Sequence, residues 1–180
     1  MSSEEYIQLK AFARQDGALM SLLWIASFAC YILGLSNPML GLTALMLITA
    51  TPFYAAIRLR HFRDYAREGF ISFLRGYAFT VLTFFYAGLL LAIVMFLYFN
   101  FIDKGYLVGQ FTQMLSSEQG QQVVEMYGMA DEVSQGLRTL SEMRPIDFAL
   151  NMLSVNIMTG FLLGLPIAAL MQREKVRSVE

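Results

Sequence analysis

The chain has 180 residues, of which 57% are hydrophobic and only 15% are charged. Because soluble domains carry about 25% charged residues, this composition excludes an ordinary soluble domain and favours an integral membrane protein. The formal net charge of −1 also excludes a strongly basic nucleic-acid binder, so no nucleic-acid partner is expected.

The chain begins with a short amphipathic stretch that leads into a long uncharged run. We expect residues 1–16 to form a helix that lies in the membrane interface before the first span. The 41 residues of 17–57 contain no charged side chain, which is enough for two membrane helices. Asn37-Pro38 divides this run, because Asn-Pro is a turn signal and proline suits the first turn of a helix. The predicted spans are therefore residues 17–35 and 38–57.

The second predicted span ends in a kink and an arginine cluster. Thr51-Pro52 predicts the kink, because proline removes an internal helix hydrogen bond. Five arginines follow before the third span: Arg58, Arg60, Arg63, Arg67 and Arg75. We predict that they bind lipid phosphates or an acidic partner, since each basic residue near an anionic surface contributes about 1 kcal/mol. The alternative is that these arginines only hold the loop on the cytoplasmic side.

Two further uncharged stretches predict the third and fourth spans. The 27 residues of 76–102 would extend about 40 Å as a helix, which exceeds the thickness of about 30 Å of a hydrocarbon core. The third span is predicted at residues 77–101 and the fourth at residues 145–171. No ionisable residue is expected deep within a span, which disfavours an ion-coupled transporter. Gly160-x-x-x-Gly164 is interpreted as an internal packing face, with a dimer face as the alternative.

The polar segment of residues 104–144 separates the last two spans. Its apolar residues recur at spacings of three and four: Val123, Met126, Ala130, Val133, Leu137 and Leu140. This heptad-like spacing predicts an amphipathic helix with one buried stripe. We expect the stripe to cover the outer mouth of the bundle or to contact another chain.

Polar side chains near the outer ends of the third and fourth spans form a second candidate site. This outer polar rim consists of Asn100, Asp103, Asp147 and Asn151. Such a patch would bind the head group of a ligand. The alternative is that these residues, together with Asn156, cap helices or bond between helices.

The distribution of basic residues predicts the orientation. With both termini inside, ten of the thirteen Lys and Arg residues lie on the inner side and three lie on the outer side. Lys175 and Arg177, in the tail after the last span, are among the ten. The positive-inside rule then places both termini in the cytoplasm of a multi-pass protein of the bacterial inner membrane.

Two short motifs resemble a known family. Gly69-Phe70-Ile71-Ser72-Phe73 enters the third span, and Tyr98-Phe99-Asn100-Phe101-Ile102-Asp103 leaves it. Both resemble motifs of the bacterial domain-of-unknown-function 4199 family, which is typical of Bacteroidota; Lys104 departs from the proline common there. The resemblance implies a small four-helix membrane protein without an assigned activity. It also implies an association with membrane-linked glycosyltransferases, near whose genes family members appear.

The sequence therefore predicts an all-α integral membrane protein, one domain over residues 1–180, with four spans and an amphipathic helical segment outside. One His and one Cys do not make a usual zinc site, and we expect no metal and no cofactor. The leading hypothesis is a non-enzymatic accessory or assembly subunit of an inner-membrane complex, linked to envelope glycan or lipid metabolism. Its partners would be membrane lipids and another membrane protein or a second copy of itself. The alternative is a small transporter or flippase-like protein for a lipid-linked or amphipathic substrate.

Overall fold

A computed structural model describes residues 3–173; Lys175 and Arg177, which contribute to the predicted charge asymmetry, lie outside the described residues. This part of the chain folds into eight helices. They are α1 (Ser3–Gly34), α2 (Pro38–Thr49), α3 (Thr51–Ala66), α4 (Phe73–Phe101), α5 (Tyr106–Ser116), α6 (Glu118–Tyr127), α7 (Ala130–Glu142) and α8 (Pro145–Met171). Between residues 3 and 173, four helical stretches are long and apolar enough to cross a membrane, with α2 and α3 counted as one. The predicted all-α, four-span fold is confirmed.

Helix α1 is longer than the first predicted span. It runs without a break from Ser3, so the expected separate interfacial helix of residues 1–16 is not observed. The reason is packing: Leu9 and Ala13 are buried, and the Phe12 ring lies 5.2 Å from the ring of Phe62 in α3. The amphipathic start of the chain therefore continues the first span and packs against the bundle.

The kink predicted at Thr51-Pro52 falls on a one-residue break between α2 and α3. Ala50 separates the two helices, and Pro52 stands in the first turn of α3. The indole Nε1 of Trp24 donates a hydrogen bond of 2.9 Å to the hydroxyl oxygen of Thr51. This bond ties α1 to the junction of α2 and α3, because Thr51 is the first residue of α3.

Helix α4 is the centre of the bundle and packs along both α8 and α1. Glycines permit the close approach of α8. A Cβ on Gly160 would lie 2.6 Å from the Cβ of Phe84, and one on Gly164 would lie 3.1 Å from the ring of Tyr77. The Gly160-x-x-x-Gly164 face therefore packs internally on α4, as the sequence indicated.

The bundle differs at its two ends. The end that carries Arg58–Arg75, here the arginine-rich end, is closed because α3 contacts α8, α1 and α4. The opposite end, here the cap end, carries α5, α6 and α7. There α2 has substantial contacts within the described chain only with α1 and with its own continuation α3. The space between α2 and α8 is thus left without a helix.

The segment at the cap end is three short helices rather than the one amphipathic helix expected. Gly128 ends α6 with a φ of 63°, a left-handed conformation that glycine adopts readily. The break divides the expected stripe. Val133, Leu137 and Leu140 of α7 are half-buried, whereas Val123 and Met126 of α6 are exposed. The described chain therefore does not bury the stripe as one surface by itself, and contact of the stripe with another chain stays a prediction.

Candidate functional site

An apolar cavity of about 630 Å³ lies toward the cap end, between α1, α2, α4 and α8; we call it the lateral cavity. Leu107 of α5 closes part of its top. Five aromatic rings line it: Trp24, Phe28, Tyr31, Phe99 and Phe148. Its volume falls in the range of about 300–1,000 Å³ that is typical of small-molecule sites, which are mostly apolar with a few polar groups.

The lateral cavity opens to the surface of the bundle. Tyr31, Leu45 and Ile48 line it and remain exposed. Since α2 does not pack along α8, we infer that the opening lies between these two helices. In a membrane, an opening between these two helices would face the lipid.

Most polar groups around the lateral cavity have hydrogen-bond partners. Trp24 bonds to Thr51, and the Ser27 hydroxyl donates to the Ala44 carbonyl at 2.9 Å. Asn156 differs, because it is only 7% exposed and its Nδ2 has no hydrogen-bond partner among residues 3–173. The Nδ2 atom lies against α4, because a Cβ on Gly88 would stand 3.7 Å from it. A buried donor without a partner costs about 1–3 kcal/mol.

An ion pair holds the arginine-rich end together. Arg58 of α3 donates from Nε to Oδ1 of Asp16 at 2.7 Å, and Asp16 is only 1% exposed. The other carboxylate oxygen of Asp16 has no partner in the described part of the chain. The pair ties α1 to α3 across 42 residues of sequence, below the kink.

The remaining arginines of the predicted site are also paired within the chain. Glu5 accepts hydrogen bonds from Arg67 at 2.8 Å and from Arg75 at 2.7 Å. Arg63 contacts Asp64 at 2.7 Å and donates to the last carbonyl of α8, that of Met171. These contacts partly satisfy the arginine side chains, so less of their positive charge is available to bind lipid phosphates. The prediction that the cluster binds anionic lipid remains a prediction.

Arg60 is the arginine of this cluster that is most available to an external anion. Its side chain is 70% exposed and lies 3.6 Å from Asp64. A second cavity, of about 460 Å³, lies nearby at the start of α4, where Arg67, Arg75 and Arg173 line it. The arginine-rich end thus retains positive surface despite its internal pairs.

The predicted outer polar rim is used mainly for capping. Both carboxylate oxygens of Asp103 accept backbone N–H groups at the start of α5. Asp147 accepts from the backbone and side chain of Arg144, which raises the pKa of the Arg144 guanidinium. Asn151 donates back to its own helix, and Asn100 is exposed. These bonds support capping over ligand binding as the role of the rim.

Sequence reasoning missed the two buried polar residues that matter most. Asp16 was placed outside the first span, yet it is buried in the middle of α1. A signal was present: Asp16 and Arg58 flank the uncharged run at equal distances from the turn at Asn37, so a helical hairpin brings them together. Asn156 was grouped with the first turns of the fourth span and with bonds between helices. Its depth within α8 explains its burial.

Comparison with known proteins gives one result. Residues 15–173 match the model of a family described as a protein of unknown function (DUF4199). No curated protein and no solved structure matches the chain. The match includes both motifs that carried the resemblance, at residues 69–73 and 98–103, and extends over most of the chain.

Proposed function

The chain belongs to the DUF4199 family, and since that family has no assigned function, we propose a function from the geometry of the chain itself. The protein binds the apolar part of an amphipathic membrane molecule in the lateral cavity. The observation that carries this proposal is an apolar cavity of about 630 Å³ that is lined by five aromatic rings and opens at the bundle surface.

The proposed setting is the bacterial inner membrane with both termini in the cytoplasm. The excess of basic residues at the arginine-rich end supports this orientation. The cap end then lies outside the membrane, and the lateral cavity lies in the outer half of the bilayer. This arrangement suits a non-enzymatic binding or carrier protein that accepts its ligand from the outer leaflet.

Trp24 is the only tryptophan of the chain and lines the lateral cavity, so its fluorescence tests the proposal. Purified protein in detergent is titrated with a phospholipid brominated on its acyl chains. We expect quenching that saturates at about one lipid per chain. A control variant, Trp24→Phe with Phe161→Trp, places tryptophan on an exposed position of α8 next to Gly160, which lies against the same Phe84 that Trp24 contacts. Gradual quenching with the same profile in both proteins would refute cavity binding.

A second candidate function is the accessory subunit expected from the sequence. It is supported by α6, whose Val123, Met126 and Tyr127 are exposed. Exposed apolar side chains grouped on one short helix are typical of a contact surface. The two functions are compatible, because the lateral cavity and α6 involve different residues.

A further inference from the structure

The motif of residues 69–73 forms part of the wall of the second cavity, which has a volume of about 460 Å³ and is here called the basic cavity. Gly69 has a φ of 85°, a left-handed conformation, in the turn between α3 and α4. Ile71 then pairs with Arg173 through two backbone hydrogen bonds of 2.9 Å. This pairing joins the start of α4 to the end of α8, and it brings Arg173 to the basic cavity.

Three arginines from separate segments line the basic cavity. Arg67 follows the end of α3, Arg75 lies in the first turn of α4, and Arg173 follows the end of α8. Arg67 and Arg75 each donate from Nη2 to Glu5 and remain partly exposed. Arg173 is exposed and makes no ion pair among residues 3–173. The fold thus gathers three guanidiniums that are distant in the sequence around one opening.

The charges around the basic cavity leave an excess of one positive charge. Two carboxylates oppose the three guanidiniums, because Glu5 pairs with two of the arginines and Glu68 lines the cavity. A phosphodiester carries a single negative charge, and its oxygens accept charge-assisted hydrogen bonds from guanidinium groups. One phosphodiester would therefore neutralise the basic cavity.

The start of α4 adds to the attraction for an anion. Ser72 is the N-cap residue of α4 and lines the basic cavity, but its side chain does not cap the helix. The first N–H groups of a helix have no partner inside the helix, and the helix dipole favours negative charge there. This helix end supports the three arginines as an anion site.

The position of the basic cavity favours a lipid head group over an anion from solution. The uncharged run of the third span begins at Gly76, directly after Arg75. Phe73 and Leu74, which follow the lining residue Ser72, have exposed side chains. Basic groups at the end of a span lie at the depth of the lipid head groups. The exposed apolar side chains beside the cavity would then meet the acyl chains of the same lipid.

We propose that the basic cavity binds the phosphodiester of an anionic glycerophospholipid, with Arg67, Arg75 and Arg173 as the donors. The acyl chains of that lipid lie against Phe73 and Leu74. Inorganic phosphate shares the chemistry of the head group but gains nothing from the apolar side chains. This inference concerns the arginine-rich end and does not depend on what the lateral cavity binds.

The test is isothermal titration calorimetry of the full chain, purified in an uncharged detergent and freed of lipid. The probes are dihexanoyl phosphatidylglycerol, dihexanoylglycerol, which has the same acyl chains without the phosphate, and inorganic phosphate. We expect phosphatidylglycerol to bind about tenfold more tightly than dihexanoylglycerol, as a charge-assisted hydrogen bond provides. Equal affinities for these two lipids would overturn the site. Inorganic phosphate that binds as tightly as phosphatidylglycerol would overturn the lipid assignment and indicate a soluble anion.

Arg173→Gln should remove the preference for phosphatidylglycerol over dihexanoylglycerol. The matched control is Arg60→Gln, which removes the same charge from an exposed position of α3 outside the basic cavity. It should keep the tenfold preference. An equal loss in both variants would show a diffuse attraction to the arginine-rich end, and an unchanged preference in Arg173→Gln would show binding elsewhere. Either result would overturn the proposal.

Discussion

Arg58 and Asp16 form a buried ion pair between α3 and α1, with 2.7 Å between Nε and Oδ1. Both residues border the uncharged run that makes the first two spans. Their pairing closes the arginine-rich end, while α2 above the kink is free to stand apart from α8. The lateral cavity thus depends on α2, which is fixed through α3 at the arginine-rich end and does not pack on α8 at the cap end.

Removing the Asp16 carboxylate should destabilise the protein. Asp16→Ala leaves the guanidinium of Arg58 partly buried without its partner, which costs about 3 kcal/mol. Thermal unfolding of the purified protein in detergent measures this loss. The matched control is Asp64→Ala, because the Asp64 carboxylate pairs with arginines at an exposed position of α3, where solvent screens the pairing and its loss changes stability little. Equal destabilisation by the two changes would contradict the role given to the buried pair.

Neutralising Glu5 should make the arginine-rich end more attractive to anions. Glu5→Gln removes the charge that Arg67 and Arg75 share, so both guanidiniums become available to lipid phosphates. We expect more anionic phospholipid to be retained through purification, measured by lipid extraction. Glu4→Gln makes the same charge change at the neighbouring exposed position. If the two variants retain the same lipid as the wild type, the arginine cluster serves topology and internal pairing only.

The exposed face of α6 should matter for association and not for folding. Met126 is 75% exposed, so Met126→Asp should leave the melting temperature unchanged and reduce the recovery of co-purifying chains. Leu137 is half-buried in α7, and Leu137→Asp should lower the melting temperature as well. A Met126→Asp protein that keeps its full set of associated chains in mild detergent would remove the accessory-subunit candidate.

Orientation is tested by labelling single cysteines in a Cys30→Ala background. Ser134→Cys in α7 and Glu4→Cys at the start of α1 are both exposed and lie toward opposite ends of the bundle. A membrane-impermeant maleimide applied to intact cells should label position 134 and not position 4. The reverse pattern would place the lateral cavity in the inner leaflet and require the positive-inside assignment to be withdrawn.

The spans could be predicted from the sequence because each depends on a local property, an uncharged run of sufficient length. The break next to Pro52 and the packing of Gly160 were predictable for the same reason, since proline and glycine act through their own backbone. The division of the segment at the cap end into separate helices was not predictable, because the heptad-like spacing of residues 123–140 continued through Gly128. There the local backbone preference of glycine outweighed the periodic pattern.

The lateral cavity could not be predicted from the sequence. The cavity exists because α2 packs on α1 and does not pack on α8. That arrangement is a relation between helices that are distant in the chain. Asn156 illustrates the difference: its residue type gave a polar position in the fourth span, but only the fold shows that Nδ2 is buried without a partner among residues 3–173.

Native mass spectrometry of the detergent-purified chain tests the central claim most directly. The account predicts one apolar molecule retained per chain after the detergent is removed. Ala44→Phe, which fills part of the lateral cavity, should reduce that adduct, whereas Ala29→Phe on the exposed face of α1 should not. A wild-type chain that carries no bound molecule, or one that carries the same adduct when Ala44 is replaced, would contradict it.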